Sequence, residues 1–377
     1  MPGMCENPVW PCAMAGAAAC LSGFHDLGVI LHGSSGCYYY TQSLVSAPLH
    51  CTSLDCRDVI FGAEDRLRAL VAELAGSYSR IAVIPMCVPS IVGEDLGLLL
   101  EDEDVLIVDT PGFSGRMEDG YRRAMDVLAP SVGEGIPGVN IDGVSLTDRF
   151  ARGNRREGER LLRMAGIPVA TCFCSARLRD AYRAAPVTVE TNPDLRSGVG
   201  TAAGSLLGLE SLRSTFHNLQ SHGSGWDTDP VFREIDETEE SIVRSCDRFL
   251  RRCDPPRVAI FATAAYAEMI AGLLTTYLDA EIAVVGTRNP PSLCTIPARE
   301  AYDLGTIGDL IRESDPDLLI GSSYEHVTAP KIRFVGLTYP LRGQYMLQNR
   351  AVAGTEGVLG VIEAVLNACT PGNAQRI

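Results

Sequence analysis

Cys12, Cys37 and Cys87 stand in the stretches "PCAMAG", "HGSSGCYYY" and "MCVPSIVGEDL". Cys12 lies between Pro11 and the helix-prone run "AMAGAAA", so its thiolate would sit near a helix N-terminus, where the dipole favours negative charge. Cys37 follows the strand-like "VILHG" by a glycine turn, and Cys87 closes "IAVIPM" just before Pro89. All three read as loop thiols facing one edge of a parallel sheet, the edge where such sheets bind ligands. Cysteines brought by separate loops to one place are what an iron–sulfur cluster requires, because each iron needs a thiolate at a fixed distance and direction. The competing reading is three small buried apolar residues, the ordinary fate of cysteine in a reducing compartment. On the residues alone the two stand level.

Other residues near these cysteines have two readings each. His32 precedes the glycine turn and could donate protons or hydrogen-bond a cluster sulfur; it could equally be packed beneath the turn and satisfied by backbone. Gly33 and Gly36 are expected to serve the turn through positive φ. Tyr38, Tyr39 and Tyr40 would shield a cluster, frame a ligand or line a subunit interface. Cys20, Cys172, Cys174, Cys246, Cys253 and Cys369 fall inside helix or strand patterns and read as core residues, with Cys172 and Cys174 on one strand face. Cys51 and Cys56 have only the C-x4-C opening of a ferredoxin motif. Cys5 and Cys294 stay unassigned.

The elements that must position these residues are legible as apolar runs alternating with helical patterns, which argues for an α/β fold of parallel sheets flanked by helices. Strands are expected in "LGVILHG", "RIAVIPMC" and "DVLIVDTPGF", then in "GVNIDGVSL", "IPVATCFC" and "APVTVE", and last in "PRVAIFATAA", "AEIAVVGT", "DLLIGSS" and "IRFVGLTYP". They group into three Rossmann-like units, a cluster-binding one at 1–131, a middle one at 132–225 and a C-terminal one at 226–377, with a turn-rich boundary in "SHGSGWDTDP". A cleft is expected where the three meet.

Composition excludes several classes. The chain has 377 residues and a formal charge of −15, which disfavours nucleic acid as a partner because affinity for phosphates rests on clustered Lys and Arg. Lys331 is the only lysine, so no Walker A phosphate loop exists and no nucleotide is expected to bind this chain. No apolar run reaches the roughly 18 residues of a membrane span. The first residues lack a secretory pattern, so a cytoplasmic protein is expected. Thirteen cysteines cannot all pair, and a disulfide framework is not expected there.

Taken together, the three cysteine segments resemble the nitrogenase component 1 family, in which cluster cysteines occur in Gly-Cys-x-x-x-Gly, His-Gly-x-x-Gly-Cys and Cys-Pro/x-x-x-Gly-Asp-Asp contexts. "DVIFGAEDRL", "DTPGFSG" and "DLLIGSSYEH" extend the similarity over most of the chain. No segment matches the cysteine and histidine that hold the iron–molybdenum cofactor in true nitrogenase. The opening looks most like the catalytic component of Ni-sirohydrochlorin a,c-diamide reductive cyclases of coenzyme F-430 biosynthesis in methanogenesis. The resemblance implies a homodimer holding a 4Fe-4S cluster through Cys12, Cys37 and Cys87. It also implies a nickel tetrapyrrole substrate, reduced by several electrons and closed to a lactam, and an ATP-hydrolysing, iron-protein-like reductase as electron donor. Arg116, Arg152 and Arg196 are candidates for the substrate carboxylates, with a solvated surface role competing in each case. Three thiolates per chain leave a four-iron cluster short of one ligand, which a second subunit must supply.

Overall fold

The computed structural model describes residues 8–223 and 225–370, so Cys5 lies outside the described residues. Among the described residues thirteen strands form three sheets, and every pairing between them is parallel. The first sheet is built from β1 (Leu27–His32), β2 (His50–Cys51), β3 (Arg80–Pro85) and β4 (Val105–Ile107), in the order β2-β1-β3-β4. The second takes β5 (Val139–Asp142), β6 (Val169–Cys172), β7 (Val187–Glu190) and β8 (Thr201–Ser205), in the order β6-β5-β7-β8. The third takes β9 (Arg257–Ala262), β10 (Glu281–Thr287), β11 (Arg299–Glu300), β12 (Leu318–Gly321) and β13 (Arg333–Gly336), in the order β11-β10-β9-β12-β13. In the first two, the first strand in sequence has the second on one side and the third on the other; in the third sheet β9 has β10 on one side and β12 on the other. That reversal leaves a crevice beyond the strand carboxyl ends, the usual ligand site of such sheets.

The expected strands form because their apolar runs are covered on both faces. Every residue of β1, for example, is buried. Three short edge strands carried no such signal: β2 and β11 have two residues each, and β8 is "TAAGS". "IPVATCFC" departs from expectation at its end. The strand stops at Cys172, and Cys174 lies in the following turn at φ +57°. The two cysteines therefore do not share a strand face: Cys172 packs into the core of the middle unit and Cys174 into that of the first sheet.

The middle and C-terminal sheets share one continuous buried core, running from Val139 through Phe216 and Ile260 to Cys369. Helix Gly354–Cys369 lies against both helix Ala151–Met164 and helix Asp229–Leu250. Arg160 fastens the three, donating to Glu157 at 2.7 Å, to Glu234 at 2.8 Å and to Thr355 at 3.0 Å. The first sheet has its own core, dominated by helix Ala13–Leu21, "AMAGAAACL". Alanine favours the helix. All nine residues are buried, which is why it shows no polar face.

Candidate functional site

Cys12 is the residue before helix Ala13–Leu21, and its backbone bridges antiparallel to Arg116, with Ala13 N–H donating to Gly115 O at 3.1 Å and Met117 N–H to Pro11 O at 3.1 Å. Cys87 opens helix Cys87–Val92 directly after β3 and Met86. Cys37 departs from expectation, since it is the third residue of helix Ser35–Leu44 rather than a turn residue. Gly33 carries the turn instead, at φ +156°, with Met86 so close that a Cβ there would meet the Met86 side chain at 2.5 Å. Gly36 does not have the expected positive φ. It is helical, and a Cβ on it would meet nothing within 4 Å, so the surface beside Cys37 is open.

Helix Ser35–Leu44 follows β1 and helix Cys87–Val92 follows β3, so Cys37 and Cys87 flank the switch point of the first sheet. Cys12 joins them. A Cβ placed on Gly112, in the turn Gly112–Ser114 after β4, would sit 3.1 Å from Cys87 Sγ and 3.2 Å from Cys12 Sγ. The two sulfurs are therefore neighbours around a space that only glycine leaves open. The Cys12 thiol is pushed above its ordinary pKa, chiefly by burial and further by the nearby Cys87 and Cys37, while Ala15 and Met14 N–H groups pull it back. A thiol held protonated in this way must lose its proton when iron binds, which ties cluster loading to proton release.

Among the described residues no three His, Cys, Asp or Glu side chains close around a single metal ion, and all twelve described cysteines are free thiols. An all-thiol set brought by three separate segments suits a cluster, in which each thiolate takes a separate iron. The gap above Gly112 and the all-sulfur donor set fit such a group. Gly112→Ala tests that fit. Its backbone tolerates a side chain, but the methyl would occupy the space between the sulfurs; iron incorporation is expected to fall several-fold with little change in the unfolding midpoint of the apo chain.

His32 is fully buried beneath this turn. Its Nδ1 lies 3.1 Å from Thr52 Oγ1 and its Nε2 2.6 Å from Glu94 Oε2, and the Thr52 hydroxyl also accepts from Gly33 N–H at 3.0 Å. Glu94 keeps 17% of its side chain exposed, so the pair joins the buried ring to the surface. Tyr38 packs on the first core and meets Tyr39 edge-on at 5.2 Å, while Tyr39 is exposed. Partial burial holds the Tyr40 phenol above its ordinary range, with Tyr339, Tyr324 and Cys12 adding to the effect.

At one place where the three units meet there is little room. The cavity there measures about 30 Å³, the size of one water, between Trp10, Glu118, Asp148, Asn192, Thr263 and Tyr339. A groove of about 970 Å³, the volume of a ligand site, is lined by all three units, with Arg122 from the first, Arg196 and Arg213 from the middle one and Glu268 and Tyr277 from the C-terminal one. Arg116 is not free for a substrate carboxylate: it pairs with Glu300, donates to Arg288 O at 3.4 Å and stacks over the Tyr302 ring at 4.7 Å, clamping the Cys12 loop to the third sheet. Arg152 is exposed on helix Ala151–Met164, and Arg196 pairs with Glu190 at 3.1 Å.

Sequence reasoning missed Gly112 and Glu118. The Glu118 carboxylate accepts from Trp10 Nε1 at 3.0 Å, one residue beyond the backbone bond that anchors the Cys12 loop. Burial pushes its pKa up to about 7. The folded chain thus holds a proton there that the unfolded chain has lost above pH ~4.5, and stability falls as pH rises from that value through about 7, by roughly 3 kcal/mol in all. Glu118→Gln keeps an acceptor for Trp10 and cannot ionise. Urea unfolding of the apo chain is expected to show the variant about 3 kcal/mol more stable than wild type at pH 8.5 and within about 1 kcal/mol of it at pH 5.

Comparison with known proteins shows the family. The family model for nitrogenase component 1 type oxidoreductases matches residues 12–370. The "Nitrogenase iron-molybdenum cofactor biosynthesis protein NifE" of Clostridium pasteurianum is 28% identical over 156 residues, 37% of this chain and 34% of that protein. The "Ni-sirohydrochlorin a,c-diamide reductive cyclase complex, component CfbD" of Methanocaldococcus jannaschii is 30% identical over 125 residues, 29% of this chain and 36% of that protein. The aligned stretches span about a third of these relatives' own length. The solved structure "Nitrogenase Cp1 at pH 6.5" shares the fold with a TM-score of 0.82 at 16% identity, over 98% of this chain and 94% of that one. Carried by a family model that runs from the first candidate cysteine to the last helix, and by parallel sheets with the same arrangement, the conclusion is that the chain belongs to the nitrogenase component 1 type oxidoreductase family.

Proposed function

We propose that the chain is the catalytic component of a nitrogenase-like reductive cyclase that reduces Ni-sirohydrochlorin a,c-diamide and closes its lactam ring. In this reading one 4Fe-4S cluster is shared by two copies of the chain, and electrons come from an ATP-hydrolysing iron–sulfur reductase. The observation that carries it is the meeting of Cys12 and Cys87 over Gly112, with Cys37 close enough to raise the Cys12 pKa. Similarity to the cyclase component CfbD supports the substrate class.

When bound, the cluster would supply single electrons at low potential. The chain's own residues do the rest. Cys12, Cys37 and Cys87 hold iron, and Ala15 and Met14 N–H groups stabilise the Cys12 sulfur as a thiolate. Tyr38, packed on the first core, would cover the cluster's inner side, and His32 with Glu94 handles protons between ring and surface. Around the cysteines runs an exposed apolar rim: helix Cys56–Phe61 buries none of its residues, and Ile60, Phe61, Ile91, Val92 and Phe113 are all uncovered. A surface of this kind marks an interface, and a second copy seated on it would bring the missing ligand. Arg196, exposed at the 970 Å³ groove though paired with Glu190, is the candidate for a substrate carboxylate.

Similarity to NifE favours a second reading, a scaffold that carries a cofactor precursor without reducing it. Turnover separates the two. The chain, its reductase, ATP and the nickel macrocycle are expected to yield a reduced, lactam-bearing product; a cluster-loaded chain that binds the macrocycle and leaves it unreduced would establish the scaffold instead.

A further inference from the structure

Away from the cluster cysteines, two other thiols meet. Cys20, in the last turn of the helix that begins after Cys12, has its Sγ 3.2 Å from the Sγ of Cys174, in the turn after β6 of the middle unit. Both are fully buried and both are free thiols. Three observations set this pair apart from ordinary core packing. Cys174 adopts φ +57°, a left-handed conformation unfavourable for a residue with a Cβ. The helix end is pressed on it so tightly that a Cβ on Gly23 would lie 1.9 Å from Cys174 O, so the two backbones hold the sulfurs together. And the Cys174 thiol is 3.3 Å from the Tyr121 hydroxyl, which lies 3.4 Å from Asp142 Oδ1, while the half-buried Ser197 donates to Asp142 Oδ2 at 2.6 Å. A thiol proton therefore has a hydrogen-bonded route out of the core.

We propose that Cys20 and Cys174 are a redox-active pair that closes to a disulfide between the first and middle units when hydrogen peroxide reaches it. Cys174 loses its proton along the Tyr121–Asp142 route, and its sulfur attacks one peroxide oxygen, giving a sulfenic acid and, with that proton, one water. Cys20 sulfur then displaces the sulfenic oxygen, which leaves as a second water with the Cys20 proton. Two thiols are oxidised by two electrons in all and one peroxide is reduced by two. Bond formation needs the sulfurs to approach by about 1 Å, within reach of side-chain rotation. Cys172, two residues before Cys174, packs into the other core and takes no part. The bond would staple the helix that carries the Cys12 loop to the middle unit, across more than 150 residues of chain.

The test is peptide mapping of the folded full chain after hydrogen peroxide, with remaining thiols alkylated in denaturant. Exposed Cys56 reports that oxidant was present. The expected result is a Cys20–Cys174 link in most chains, located by fragment spectra, reversed by dithiothreitol and absent from Cys20→Ser and Cys174→Ser. The oxidised wild type is also expected to melt about 5 °C above the reduced protein. Full oxidation of Cys56 with Cys20 and Cys174 both still alkylated would overturn the proposal. So would a link that forms only when denaturant precedes peroxide. If the serine variants fail to fold, the wild-type map decides the matter alone.

Discussion

Alanine at Cys12, Cys37 or Cys87 is expected to strip iron from the anaerobically reconstituted protein, while Cys246→Ala leaves it loaded. Losing a group that only orients a metal ligand costs about 10–100-fold in affinity, so removing a thiolate that binds iron directly costs at least about 100-fold. Cys12 and Cys87 border the same gap above Gly112 and are expected to fail alike. Cys37 reaches the site from its own helix, beside the open surface at Gly36, and its loss is expected to disturb both copies if the cluster lies between them. Cys246, buried on helix Asp229–Leu250, controls for the loss of a core thiol. Iron analysis with the visible absorbance of the cluster checks each variant, and unchanged iron in any one of the three removes that residue from the ligand set.

Gly120→Ala is expected to destabilise the chain by about 3 kcal/mol or more. Helices Ala13–Leu21 and Met117–Leu128 touch backbone to backbone: a Cβ on Gly120 would lie 1.8 Å from Ala13 O, and one on Gly16 1.9 Å from Met117 O. No rotamer relieves such a contact, so the helices must separate, and Cys12 sits on the strand segment that joins them. The same substitution at Gly360, exposed on helix Gly354–Cys369 with nothing within 4 Å, is expected to stabilise by roughly 0.5–1 kcal/mol through helix propensity. Urea unfolding of the pair separates packing from propensity. Equal effects at the two positions would mean that the helices are not in the contact described.

The strands that carry the site were legible because burial on both faces leaves a continuous apolar run, as in "LGVILH" and "RIAVIP". The helix holding Cys37 was not. "SGCYYYTQSL" has a glycine and three aromatics where helix formers would be expected, and β1 and the turn at Gly33 impose the helix from outside. Gly112 could not be found from spacing, since its role is defined by two sulfurs from distant segments. Glu118 reads as an acid suited to a helix N-terminus, and only Trp10, 108 residues away, turns it into a buried carboxyl. The lining of the 970 Å³ groove was not legible either, since residues of all three units meet there only through packing.

The central claim is one cluster held by two copies of the chain. Its most direct test is iron and acid-labile sulfide per chain, measured on the reconstituted protein at a mass fixed by sedimentation. Two irons and two sulfides per chain in a dimer, with a reduced 4Fe-4S spectrum that Cys12→Ala abolishes, is the predicted result. Four irons per chain in a monomer, or no iron after reconstitution, would contradict it.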